Sequence, residues 1–371
     1  MIKHLRPVLH FFIAIGSVAV ASQGFAKAQT TYSSDDKIDA VSRAQVVNAL
    51  ADQMRDIYVV PDVGEKAEKS LKGKLKLGGY DSVTYASGLA SVLTADMASI
   101  CHDIHLRVDY GDLPTEEVDP GLAPPSHKAG IKKKSVEAVG SGLGKPEMLP
   151  GNIGYLEVRE FMPAKYVKKA IADAMAQLTN NAALIIDLRR NYGGKPETVA
   201  LISSYLFDKR THLNDLQWRD GARTQQFWTD EKLSGRKFGQ SKPVYVLTGG
   251  QTCSGAEEFS YDLQSLKRAT VVGEVTCGGA HEGRFKRLND RFYVFMPMAR
   301  AINPVTKTNW EGKGVQPDVT VPEDTALLVA QKLAVQALSA TEKNQQKRLV
   351  LRGRLSELDS QLLPPADAGR K

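Results

Sequence analysis

The sequence predicts an α/β fold with helices covering both faces of a sheet. Three observations predict it. Ala182 to Leu188, apolar apart from Asp187, and Pro243 to Leu247 are short runs with the length of buried strands. Each ends in a glycine-rich turn that leads into a helical stretch. From Gly151 onward, strand-like and helix-like segments alternate, as layered α/β domains require.

The elements follow in order. Lys3 and Arg6, an apolar run from Val8 to Ala21 and the small-x-small Ala26-Lys27-Ala28 have the order of a secretory signal, assigned to residues 1–28. The run falls short of the roughly 20 residues a membrane helix needs. Loss of Lys3, Arg6 and Lys27 would lower the formal charge from +7 by three to +4, too mild and too scattered for a nucleic-acid partner. The mature chain is expected outside the cytoplasm, periplasmic or secreted, with no stable membrane span.

Residues 29–110 read as a helical N-terminal domain. Its first helix is expected from Ser34-Asp35-Asp36 through Ile57, ended by Pro61. A second is expected from Asp62 to Leu75, broken at Gly78-Gly79. A third starts at Asp81 or Ser82 and carries Leu89, Leu93 and Met97. Residues 111–150, rich in Pro, Gly and charge, form a connector with at most one strand. The core, 151–340, has strands at Ile153–Val158, Ala182–Leu188, Pro243–Leu247, Thr270–Val275 and Arg291–Pro297. Its helices lie at Lys165–Leu178, Thr198–Phe207 and Gly255–Leu266, and a last one runs from Pro322 with Leu327, Leu328, Ala330, Leu333 and Leu338 inward. Residues 341–371 are read as a charged tail.

Chemistry would sit in three segments. Gly249-Gly250-Gln251-Thr252-Cys253-Ser254-Gly255-Ala256-Glu257-Glu258 places Ser254 on a strand-to-helix turn, near the positive end of a helix dipole. The alternative is a helix cap, with Glu257 completing a capping box. Asp187-Leu188-Arg189-Arg190-Asn191-Tyr192-Gly193-Gly194 can aim backbone N–H groups at an oxyanion, or be an ordinary strand exit. Asn309-Trp310-Glu311-Gly312 is, unaided, a structured loop. A serine nucleophile needs a base. Of seven histidines, His4 and His10 fall in the leader, and His127 and His212 read as surface residues. Composition leaves His102, His105 and His281 open. Cys101, Cys253 and Cys277 have no zinc-ligand spacing, and one disulfide, Cys253 to Cys277, is conceivable.

Taken together, the segments resemble the C-terminal-processing (tail-specific) peptidases, in the branch of interphotoreceptor retinoid-binding protein modules and the tricorn protease core. Asp103-Ile104-His105-Leu106, Asp187 to Gly194, Gly249 to Glu258, Gly273 to His281 and Ala301 to Asp318 carry the likeness. The resemblance implies a crotonase-like ββα spiral core beside a small helical N-terminal domain. Many relatives carry a PDZ domain, for which the 111–150 connector is too short. One branch uses a lysine in a Thr-x-Gly-Lys turn, but that turn here is Thr276-Cys277-Gly278-Gly279. The other branch implies Ser254 as nucleophile, His105 as base and Glu311 as its orienting acid. Gly255 with Gly193 or Gly194 would form the oxyanion hole, and His281 would stand beside substrate. The reading is an exported serine endopeptidase acting on peptides or unfolded protein, without metal or cofactor. A non-catalytic module for retinoid- or lipid-like ligands, and an esterase with the same acyl-enzyme chemistry, are the alternatives.

Overall fold

These runs become the inner strands of a six-stranded sheet. In the computed structural model, which describes residues 36–112, 140–219, 221, 223–233 and 235–363, that sheet contains β3 (Ile153–Glu157), β4 (Ala183–Asp187), β7 (Val244–Thr248) and β8 (Thr270–Gly273), all parallel. β11 (Val319–Thr320) and β2 (Glu147–Leu149) close its edges, in the order β11-β8-β7-β4-β3-β2. Side chains alternate across it. Leu184, Ile186 and Val246 pack with α4 (Ala164–Leu178), α5 (Pro196–Ser204) and α6 (Gly255–Ser265) through Ile171, Val199 and Phe259. Ile185, Tyr245 and Leu247 face α7 (Ala326–Thr341) and α8 (Gln345–Leu362) through Ala330, Ala334, Leu351 and Leu358. Both faces are covered, as the alternating pattern predicts.

A second, antiparallel sheet is built around the long β10 (Phe292–Ile302). It pairs with β1 (Arg107–Tyr110), β9 (His281–Arg287) and β5 (His212–Trp218), and β5 pairs with β6 (Thr224–Trp228). The N-terminal helices α1 (Ala40–Ile57), α2 (Pro61–Lys76) and α3 (Ala86–Cys101) contribute Leu50, Met54, Leu71, Leu89 and Met97 to one core with Val108, Val294 and Met296. The stretch after α3 is thereby tied into the sheet that carries His281.

Several sequence expectations are corrected. The first helix starts at Ala40, capped by Asp39, whose carboxylate accepts from Ser42 N at 2.7 Å. Pro61 does not end it but opens α2, where the missing N–H costs nothing. The third helix starts at Ala86, because Tyr85 is held extended in a bridge to Lys37. The final core helix begins at Ala326, and its fully buried positions are Ala330, Ala334 and Val335 rather than the leucines. The presumed tail contains α8, anchored by Leu351 and Leu358. His212 is not in a loop: it starts β5, stacks on Trp228 at 4.2 Å and meets Asp215 Oδ1 at 2.7 Å. The leader (1–28), His127 and most of the connector lie outside the described residues.

Candidate active site

β4 and β7 are adjacent parallel strands, with Asp187 opposite Leu247, so the turns that leave them meet at one sheet edge. Ligand sites of parallel sheets form at such carboxyl ends. The contact is close. A Cβ on Gly193 (φ +113) would lie 2.8 Å from Ser254 Cβ and 2.9 Å from Gly255 N. A Cβ on Gly255 would lie 3.0 Å from Gly194 O and 3.2 Å from Gly194 N. Only glycine permits this approach, which explains the paired glycines after β4.

Ser254 is the N-cap of α6, with φ +52 and ψ −121. A non-glycine residue held there costs about 1–3 kcal/mol and persists only where its surroundings enforce it. Three constraints do so. Cys253 N donates to Asn191 O at 3.0 Å. Cys253 is joined to Cys277 by the disulfide considered from sequence. Glu257, one turn into α6, accepts from Ser254 N at 2.9 Å, Gly278 N at 2.7 Å, Gly279 N at 2.8 Å and Thr276 Oγ1. Burial raises the Glu257 pKa, and these donors pull the other way. Sequence reading gave Glu257 only a capping role. In the structure it fastens the Ser254 turn to the 276–279 turn.

The oxyanion-hole candidates separate. Gly193 N donates to Asn191 Oδ1 at 2.7 Å. Gly194 and Gly255 stand side by side at the start of α6.

His105 follows α3 by four residues. Its backbone N donates to Asp103 Oδ1 at 3.0 Å, and its ring Nδ1 lies 3.9 Å from the same oxygen. The ring lies against Gly279: a Cβ there would be 2.4 Å from His105 Cε1. Gly279 N and Ser254 N share one oxygen, Glu257 Oε2, so the glycine under His105 is one carboxylate away from the backbone of Ser254. A side chain at 279 would displace this histidine ring. Burial holds the His105 pKa below its ordinary value, with Asp103 opposing. His102, the α3 C-cap at φ +51, is exposed.

Glu311 and His281 occupy the opposite side of this turn. Glu311 Oε2 accepts from Ala280 N and lies 3.7 Å from His281 Nδ1, so Glu311 has His281 rather than His105 as its near imidazole. Glu311 Oε1 is buried without a partner, and burial pushes the group up to about 7. His281 Nδ1 bonds Asp103 Oδ2 at 2.7 Å, and Tyr58 Oη donates to that oxygen at 3.2 Å. Burial alone would raise Asp103, but the hydrogen bond and charge of His281, with His105, hold its pKa below the ordinary value. Burial likewise lowers His281, and Asp103 and Glu311 more than reverse it. Asp103 was missed from sequence as a functional residue. Its signal was its place two residues before His105, without any hint that it also reaches His281, 178 positions away.

Among the described residues, two groups have ligand-type atoms close enough for a metal: Asp103, His281 and Glu311, and Cys253, Glu257 and Cys277. The second is spent on the disulfide. In the first, the 2.7 Å contact is a hydrogen bond, shorter than the separation of two ligands around a zinc-sized ion.

Residues 152–321 match peptidase family S41, and residues 28–137 match the N-terminal domain of peptidase S41 in eukaryotic IRBP. The chain belongs to peptidase family S41. It is 28% identical over 204 residues to carboxyl-terminal-processing peptidase 2, chloroplastic, of Arabidopsis thaliana, covering 52% of this chain and 35% of that protein. It is 24% identical over 177 residues to the carboxy-terminal-processing protease of Bartonella bacilliformis, covering 47% and 39%. The matched stretch thus spans well under half of these relatives' length. Among solved structures, a putative peptidase from Parabacteroides merdae superposes with TM-score 0.55 at 18% identity, over 79% of this chain and 96% of that one. A lipoprotein from Streptococcus agalactiae gives TM-score 0.51 at 14% identity, over 79% and 96%. At these identities the likeness is one of fold.

Proposed function

We propose that this chain is an exported serine endopeptidase that cleaves peptides or unfolded protein through an acyl-enzyme. The observation that carries the reading is Ser254, held in a strained conformation at a helix N-terminus one carboxylate away from the glycine under His105. Ser254 Oγ attacks the scissile carbonyl. His105 takes its proton and returns it to the leaving amine. The N–H groups of Gly194 and Gly255 receive the oxyanion, a contribution worth about 100- to 1,000-fold per donor. The charge of Asp103, 3.9 Å from His105 Nδ1, favours the imidazolium, and His281 holds Asp103 through its 2.7 Å bond, with Glu311 3.7 Å from the same nitrogen. Water then deacylates the serine. The core is read as the crotonase-like spiral, with residues 29–110 as its helical domain. Export rests on the leader pattern; among the described residues no helix is long and apolar enough to cross a membrane. The test is to incubate wild type and Ser254→Ala with a diverse peptide mixture and read the products by mass spectrometry. Fragments from wild type alone support the reading. Equal fragmentation by both, or none by either folded protein, rejects it.

A further inference from the structure

A narrow cavity opens beside Ser254. Gly194, Gly255 and Gly279 border its reactive end, and Pro196, Leu216 and Trp310 line its sides. It is small, about 290 Å³ of empty space counted with the solvent at its mouth. Glu258 is in its wall. Four residues after Ser254, it sits one helical turn further along the same face of α6, about 6 Å on.

Glu258 is buried, and its Oε1 has no hydrogen-bond partner. The charges that act on it come from Glu282, also in the cavity wall, and from Glu197, both of its own sign. Behind it, Asp262 Oδ1 accepts from Asn303 Nδ2 at 3.0 Å and Asp262 Oδ2 is buried and unpaired, while the Asn214 side chain lies close enough to Glu258 to offset part of its burial. Each orphan of this kind costs about 1–3 kcal/mol. Burial pushes Glu258 up to about 8, and it raises Asp262 as well. Two carboxylates, Glu258 and Glu282, thus stand in the wall of this small cavity, which Ser254 and His281 also line.

We propose that this cavity is the subsite for the side chain on the acyl side of the scissile bond, and that Glu258 selects a lysine there. The inference rests on the peptidase reading of Ser254. An ammonium group is close to a water in size and brings three donors and a positive charge. Its unbranched methylene stem lies between Pro196, Leu216 and Trp310, and only the head enters the cavity. The ammonium is more compact than the flat guanidinium of arginine. An uncharged chain of the same length leaves the acceptors unpaired, the situation in which polar sites discriminate most strongly.

The test uses peptidyl diphenyl phosphonates that differ only in the side chain beside phosphorus: lysine-like or norleucine-like. Ser254 Oγ bonds to phosphorus, a phenoxide departs, and the serine proton leaves with it as phenol. Wild type should be modified at least about ten-fold faster by the lysine-like probe, and Glu258→Gln should bring the two rates together. Equal rates in wild type, or faster norleucine, overturn the proposal. A lysine preference that survives in folded Glu258→Gln overturns the assignment to Glu258. If that variant does not fold, the wild-type ratio decides. A small alkyl fluorophosphonate separates the two levels. Labelling of Ser254 by it without labelling by either peptidyl probe sinks the subsite alone, and no labelling by any probe sinks the peptidase reading beneath it.

Discussion

Gly279→Ala should disable the site while leaving the fold intact. The new Cβ would stand 2.4 Å from His105 Cε1 and 3.0 Å from its Nδ1. Carbon atoms rest at about 3.5–4.0 Å, so the ring must retreat by about 1 Å or more. Misplacing a reacting group by about 1 Å can cost about 100-fold in rate. The backbone at 279 keeps its bonds, with N donating to Glu257 and O accepting from Trp310 Nε1 at 2.8 Å. Only 18% of the His105 side chain is accessible, so the ring must shift within its pocket, and stability should fall by about 1 kcal/mol. Steady-state kinetics on a cleaved peptide, beside a thermal melt, reads both effects. The expected result is a kcat/KM lower by about two orders of magnitude at a nearly unchanged Tm. Full activity in Gly279→Ala would refute the placement of His105 as base. The converse swap, His105→Ala with Gly279→Lys, fills the vacated space with a lysine and should regain about ten-fold over His105→Ala.

Further outcomes follow from the same geometry. His105 must be neutral to accept a proton, and burial holds its pKa below 6.5, so kcat/KM should fall only as pH drops below 6.5; an acid limb above that value contradicts the assignment. Cys253→Ser opens a loop of 24 residues and should cost about 3 kcal/mol in denaturant unfolding, a figure that near-zero loss would disprove. Leu358→Ala in α8 should cost about 2–5 kcal/mol, whereas a loss near zero would mean that α8 does not pack on the sheet.

The parallel strands were readable because full burial on both faces writes an apolar run up to the last residue, as in Ala183–Asp187 and Val244–Thr248. The antiparallel strands were harder. β5 reads His-Leu-Asn-Asp-Leu-Gln-Trp, and its Asn214 is buried although polar, so no clean alternation survives. α8 escaped notice because only Leu351 and Leu358, seven apart, mark its buried face. Ser254 and its neighbours were legible as a motif, since strand, glycines, serine and helix are contiguous. The partnerships around it were not. Asp103 with His281, and Glu257 with Gly278 and Gly279, join positions that only tertiary folding brings together.

The central claim is that Ser254 is the nucleophile. The most direct measurement is the intact mass of the protein after exposure to an alkyl fluorophosphonate, followed by peptide mapping. A single adduct on the peptide carrying Ser254, absent from Ser254→Ala and slowed in His105→Ala, is the predicted result. No adduct on folded wild type, or one that persists in Ser254→Ala, would contradict it.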